Sequence, residues 1–418
     1  MIKVLSNLLL NNESSSQLKY FESNTTNKAR KFHSTLPRFS ETPLIELKQS
    51  ALDFGIDKLW VKDESYRLGL KAFKVLGASY AITNFLYEKL KFDKRDLSFE
   101  KIKNEDLSHF TFVTATDGNH GRGVAWTANQ LGCNSYVFMP NTSSKARVNN
   151  IKEFATEVFV VEGNYDFATG EAEKFADQND AILIQDSSWN GYEKIPLEIM
   201  QGYLTLIDEI YEQLEGENFT HIFLHCGVGS MPAAIEAYLV NKFGNKKPKT
   251  IIVEPHKANC FYHSIRMNDG KPHSVFGQLD SIMAGLSCGT PSKLAWDIIS
   301  KHSDYFISCH DEIAIIGMKE LANHDIVSGE SGAVSFGILK YAFENDKSIF
   351  DRLEIDNTSK IMLISTEGIP IRSFINKYFP KLIDSEFIFH YIVDKISIIT
   401  RRRYADLCFD DKTLTRYF

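Results

Sequence analysis

Two lysines three residues apart, Lys71 and Lys74, lie where the run VKDESYRLGLKAFKVLGASYA (61–81) passes from a strand-like stretch through a polar turn into a helix. Lys74 is flanked by Phe73, Val75 and Leu76. An amine among apolar neighbours loses hydration, which disfavours its charged form and prepares it for imine chemistry. The same pattern also describes a surface lysine that lays its stem along a helix. TDGNHG (116–121) offers a carboxylate, an amide and an imidazole within a few residues. Asp117 reads there as a base or as a cap for the following helix, and His120 as a catalyst or as a packed ring. Asp186 ends the apolar run AILIQD, where a carboxylate serves either a site or a turn. GVGSM (227–231) follows the strand-like HIFLHC and precedes an Ala-rich helix. Its backbone N–H groups and the helix dipole form an anion cradle suited to a phosphate, or the glycines simply reverse the chain. It lacks the GK[ST] ending of a nucleotide P-loop and the third glycine of a dinucleotide fingerprint.

The elements that must position these residues alternate regularly. TFVTA (111–115) precedes a helix closing at Leu131 before Gly132, SYVFM precedes a helix from Ser143, and EVFVVE precedes a helix over 166–178. AILIQD is followed by a helix over 194–214 and HIFLHC by one over 231–242, with TIIVEP, YFISC and KIMLIS as later strands. Repeated strand–helix units with continuously apolar strands imply an α/β fold of mostly parallel, twisted sheets covered by helices. Ligands collect at the carboxyl ends of such strands. TDGNHG, Asp186, GVGSM and STEG (365–368) each follow a strand directly, so they share one rim.

A chain of 418 residues with 43% hydrophobic content accommodates two domains with sizeable cores. A formal net charge of −7 argues against nucleic acid or an anionic membrane as partner and for a small-molecule enzyme. The six cysteines, Cys133, Cys226, Cys260, Cys288, Cys309 and Cys408, form no CxxC pair and have no histidine at zinc spacing, so no metal site is expected and reduced thiols are. MIKVLSNLLLNNESSS carries no cleavage signature and no span near 20 apolar residues, and a cytoplasmic protein is expected. Residues 11–30 are rich in Asn, Ser and Thr without apolar periodicity. They read as a mobile arm, with order beginning near Pro43. The expected division is an arm over 1–35, a large domain from 36–85 and 205–378, a small domain over 86–204, and an extension over 379–418.

Taken together and in order, KDESYRLGLKAFKVLGASYA, TATDGNHGRGVAW, QDSSWNGYEKIPLEIMQGY, CGVGSMPAA, MAGLSCGTP and SGESGAVSFG closely resemble the diaminopropionate ammonia-lyases, within the fold-type-II (tryptophan synthase β-like) pyridoxal-phosphate enzymes. The resemblance extends over about residue 32 to 368. The run QDSSWNGYEKIP paired with TDGNHGRGVAW belongs to the lyase branch, whereas the lysine and glycine loop are shared with threonine dehydratases, serine racemases and threonine synthases.

The resemblance implies pyridoxal 5′-phosphate as cofactor, an internal aldimine at Lys74, and a hydrogen bond from Asn119 to the phenolic oxygen. Gly227, Val228, Gly229, Ser230 and Met231 would hold the phosphate, and Ser365 or Thr366 would meet the pyridine nitrogen. A neutral hydroxyl there favours elimination over transamination. The implied reaction removes ammonia from 2,3-diaminopropionate and ends in pyruvate and a second ammonia. Lys74 is the implied base for the L isomer and Asp117 for the D isomer. Asp186 anchors the cationic amine with Tyr165 beside it, and Thr116 adjoins the substrate loop. The resemblance further implies a homodimer, and a disulfide between Cys260 and Cys288 that stands as an alternative to two free thiols. A serine or threonine dehydratase would have no need of Asp186, and a cofactor-binding protein without turnover is the other alternative. Two departures stand out: Lys71 replaces a small residue or Asn, and from Ile369 the sequence leaves the pattern, which usually continues with an acidic residue and Thr.

Overall fold

The computed structural model describes residues 1–10, 14–116 and 118–369. Among the described residues eleven strands form two sheets: β1 (Ile2–Ser6), β2 (Leu44–Glu46), β3 (Lys58–Asp63), β4 (Thr111–Ala115), β5 (Asn134–Pro140), β6 (Glu157–Val161), β7 (Ile182–Leu183), β8 (His221–His225), β9 (Lys249–Pro255), β10 (Tyr305–Cys309) and β11 (Lys360–Ser365). The larger sheet runs β1-β10-β9-β8-β11-β3-β2 and the smaller β6-β5-β4-β7. All pairings are parallel except the two edges of the large sheet, β1 on β10 and β2 on β3.

Buried strands explain this α/β architecture. Every residue of β8 and of β10 is buried, as strands covered on both faces require. Alternation along each strand feeds two cores. Ile222 and Leu224 of β8, Ile252 of β9, Phe306 of β10, and Met362 and Ile364 of β11 join one apolar cluster. Phe223, Ile251, Val253, Ile307 and Leu363 point to the other face and join a second.

The amino-terminal segment departs from the expected mobile arm. Ile2–Ser6 adds an edge strand, with Val4 opposite Ile307, and Ser23–His33 is a helix whose Thr26, Ala29, Phe32 and His33 are buried. The stripe at 26, 29 and 32/33 has helical spacing. Its polar and small members concealed it from a reading based on apolar residues. Arg30 on the same helix reaches Glu41, Asp208, Glu209 and Glu212. Order therefore begins well before Pro43.

The helix expected over 194–214 is two, Lys194–Gly202 and Leu204–Gln213. At Gly202 a Cβ would lie 2.6 Å from the carbonyl oxygen of Leu76, and at Gly77 one would lie 2.7 Å from Ile199. Two glycines thus let this element press against the helix Val75–Lys89, which starts directly after Lys74. That helix runs unbroken past residue 85, where a domain boundary was expected. The expected extension over 379–418 lies outside the described residues.

Candidate active site

Lys74 owes its place to a bend and a clasp. Between β3 and the helix Val75–Lys89 the backbone turns through left-handed conformations at Leu68, Gly69 and Lys71. The following residues are clasped to the end of β11: Phe73 N–H donates to the Thr366 carbonyl at 3.3 Å and Gly368 N–H to the Lys71 carbonyl at 2.9 Å. Behind the bend, the buried Arg67 guanidinium binds Glu64 and Glu209, each through two hydrogen bonds of 2.7–2.8 Å. Glu209 also takes the buried Lys62 ammonium at 2.8 Å. Fully desolvated charges of this kind persist only in good pairing geometry.

Lys74 Nζ meets Asp186 Oδ2 at 2.7 Å, with the lysine side chain 21% exposed and Asp186 buried. The sequence reading expected an amine depressed by its apolar neighbours. Burial does act in that direction, but the attraction of the Asp186 carboxylate outweighs it, and Lys74 is held above the ordinary lysine value. Burial likewise pushes Asp186 up, and the Lys74 ammonium, helped by the Tyr165 hydroxyl, overcomes it, leaving the carboxyl at about 2. The pair is an ammonium and a carboxylate. Tyr165 donates its hydroxyl to Asp186 Oδ1 at 3.2 Å, and Ser230 Oγ donates to the Asp186 carbonyl.

The loop 227–231 joins β8 to the helix Ser230–Phe243, with Gly229 at φ +97°. A Cβ there would lie 2.5 Å from the Phe261 ring, and one at Gly227 would lie 3.1 Å from the Gly285 carbonyl oxygen. Among the described residues the amides of Gly227, Val228 and Gly229 donate to no protein acceptor. Unused amides at the start of a long helix suit an anion.

Lys74, Asp186 and the 227–231 loop line one cleft together with Asn119 and Thr366. Ser365 is turned away, its hydroxyl on Ser328 Oγ at 2.9 Å. Tyr165 reaches the cleft through Asp186 and borders a neighbouring cavity. Thr116 holds its own loop, its Oγ1 accepting from the amides of Gly118 and Gly121. Asp117 lies outside the described residues. Asn119 donates its amide to Glu367 Oε2, and the other Glu367 oxygen accepts from Ser331 N–H at 3.2 Å. Glu367 is a site residue that sequence reasoning quoted within STEG but gave no role. His225, Tyr203 and Ser331 were missed altogether. Each lines the cleft, and His225 Nδ1, Tyr203 OH and Ser331 Oγ are buried without a hydrogen-bond partner. No motif announces them. Cys260 and Cys288 are both buried and no disulfide joins them in this structure.

The donor set fits a phosphate-bearing aldehyde. It has a cradle in which side chains at two glycines would clash, unpartnered buried polar atoms along its lining, and a lysine amine among them. The chain belongs to the pyridoxal-phosphate-dependent enzyme family, which it matches over residues 36–355. Within that family its likeness is to the diaminopropionate ammonia-lyases. It is 42% identical to the diaminopropionate ammonia-lyase of Salmonella typhimurium, over 84% of this chain and 91% of that protein. The holo diaminopropionate ammonia-lyase from Escherichia coli superposes with a TM-score of 0.85 at 40% identity, covering 91% of this chain and 97% of that one. The Escherichia coli enzyme in complex with D-serine gives a TM-score of 0.85 at 39% identity, with the same coverage. Among the described residues no helix is long and apolar enough to cross a membrane.

Proposed function

We propose that this chain eliminates ammonia from 2,3-diaminopropionate with pyridoxal phosphate as cofactor, yielding pyruvate and two molecules of ammonia. The observation that carries this reading is the Lys74–Asp186 pair at 2.7 Å beside the amide-lined cradle. It sets the lysine that would form the imine next to a carboxylate that stays anionic and can receive a second, cationic amine. The cofactor supplies an electron sink that makes the α-proton of a joined amino acid removable.

The chain's own groups divide the remaining work. The amides of Gly227, Val228 and Gly229, with Ser230 and Met231, would hold the phosphate, and Asn119 the ring oxygen. Of Ser365 and Thr366, only Thr366 lines the cleft, so its hydroxyl is the one to face the ring nitrogen. Lys74 Nζ would take the α-proton of the L isomer. Asp117 would serve the opposite face and hence the D isomer, with Thr116 shaping its loop. Asp186, steadied by Tyr165, would keep the β-amine as an ammonium, so that it departs as neutral ammonia and not as an amide ion. Supported by the resemblance and the acidic charge, the protein acts as a homodimer in the cytoplasm.

The test supplies both diaminopropionate isomers, serine and threonine to cofactor-loaded protein and measures ammonia, pyruvate and 2-oxobutyrate. Faster product formation from the hydroxyl amino acids than from diaminopropionate would overturn the reading.

A further inference from the structure

His120 is the second residue of the helix Asn119–Gln130 and is 2% exposed. Its Nε2 lies 2.7 Å from the carbonyl oxygen of Ile184. A carbonyl can only accept, so Nε2 carries the hydrogen. A second proton, on Nδ1, would create a buried imidazolium at a helix amino terminus, close to the Lys74 ammonium. Burial and the Lys74 charge oppose it, Asp186 and the Ile184 carbonyl favour it, and the balance keeps the ring below the ordinary histidine value. Nδ1 is therefore a bare lone pair. It has no hydrogen-bond partner and lies 3.9 Å from Asp186 Oδ2. The two buried acceptors stand close together, Oδ2 taking the Lys74 ammonium and Nδ1 taking no donor among the described residues.

We infer that His120 Nδ1 and Asp186 Oδ2 together seat the substrate's side-chain ammonium, and that this paired acceptor makes the site prefer a β-amine to a β-hydroxyl. The inference rests on the proposed elimination and adds to it a residue that determines specificity. A nitrogen about 2.8 Å from each atom spans their 3.9 Å separation. An ammonium has three N–H donors and satisfies both acceptors. A hydroxyl has one hydrogen, so serine or threonine can donate to Asp186 Oδ2 or to His120 Nδ1 but not to both, and a donor lost in a buried site discriminates strongly. Lys74 Nζ, 2.7 Å from the same Asp186 oxygen, marks the place as one that takes an ammonium. During elimination the Cα–H electron pair becomes the second Cα–Cβ bond and the α-proton passes to the base. The Cβ–N pair leaves with nitrogen, which departs as NH3 because it was held as NH3⁺.

His120→Phe tests the idea, since a phenyl ring fills the place of the imidazole without an acceptor at the Nδ1 position, and the donor lost to the Ile184 carbonyl is lost alike for every ligand compared. On cofactor-loaded protein the KM for diaminopropionate should rise about 10- to 100-fold, while the inhibition constant of D-serine moves less than about threefold. Equal shifts for both, or none, overturn the proposal. Independently of whether the variant folds, long-range ¹⁵N–¹H correlation spectra of histidine-labelled wild-type protein should show His120 protonated at Nε2 alone across neutral pH. A protonated Nδ1 overturns the proposal. Should the loaded wild-type protein release no ammonia from diaminopropionate, the proposed function fails. The role of His120 is then decided by its tautomer and by the binding constants of diaminopropionate for the two proteins.

Discussion

Lys74 and Asp186 stand 112 residues apart in sequence and 2.7 Å apart in space, and each sets the charge of the other. If Lys74 is the covalent anchor, Lys74→Ala removes the visible absorbance of the lysine-bound cofactor and lowers turnover by at least about 10³-fold. A normal spectrum with retained turnover contradicts the assignment. Asp186, held at about 2, is ionised throughout the working range. Its folded value is depressed, so its stabilising contribution is complete above the ordinary carboxylate range and is lost only as pH falls through about 2. Asp186→Asn should therefore raise the KM for diaminopropionate about 100-fold while leaving the limbs of the pH–rate profile between pH 5 and 9 in place. A limb that disappears with Asp186 argues against it. Asp117→Asn should reduce turnover of the D isomer more than that of the L isomer, measured as separate kcat/KM values. Equal losses would make Asp117 structural.

Among the elements, the helix Ser23–His33 is the one whose role the sequence hid. Its last residue is buried between two acceptor-bearing neighbours, with Nε2 2.9 Å from the Leu76 carbonyl and Nδ1 2.6 Å from Thr205 Oγ1. Burial holds this imidazole down at about 3. The unfolded chain then binds a proton more readily than the folded one between about 3 and the ordinary histidine value. The stabilising contribution is complete above pH 6.5 and decays as pH falls, by about 1.4 kcal/mol per pH unit. His33→Gln should flatten the acid limb of stability, read as the urea midpoint at pH 4 to 7. An unchanged slope would show that other groups govern it. The glycines at 77 and 202 act at the same scale, since any side chain there would push the helix carrying Lys74 away from its neighbour.

For the whole molecule, the large sheet and its helices carry the phosphate loop and the lysine bend, and the small sheet carries Asn119, His120 and Asp186 on segments that follow its strands. The cleft exists where these segments meet. Behind it lies the buried cluster of Lys62, Glu64, Arg67 and Glu209. Replacing Arg67 with Met leaves the buried Glu64 without its cation, while Glu209 keeps Lys62 and Arg30, at a cost of about 3–5 kcal/mol. Thermal unfolding should fall accordingly, and cofactor retention should weaken because the bend before Lys74 loses its support. Unchanged stability in Arg67→Met would mean that the cluster is dispensable.

The sequence by itself determined the alternation of strands and helices, the glycine loop for an anion and the lysine after a polar turn. Those signals are local, carried by periodicity and by residues adjacent in the chain. The tertiary structure decided what distance decides: the charge of Lys74, the place of Thr366 and not Ser365 along the cleft, the Glu367–Asn119 contact, and the burial of Cys260 and Cys288 without a bond between them. Proton affinities and hydrogen-bond partners depend on groups brought within a few ångströms from remote parts of the chain, and no spacing along the sequence encodes that.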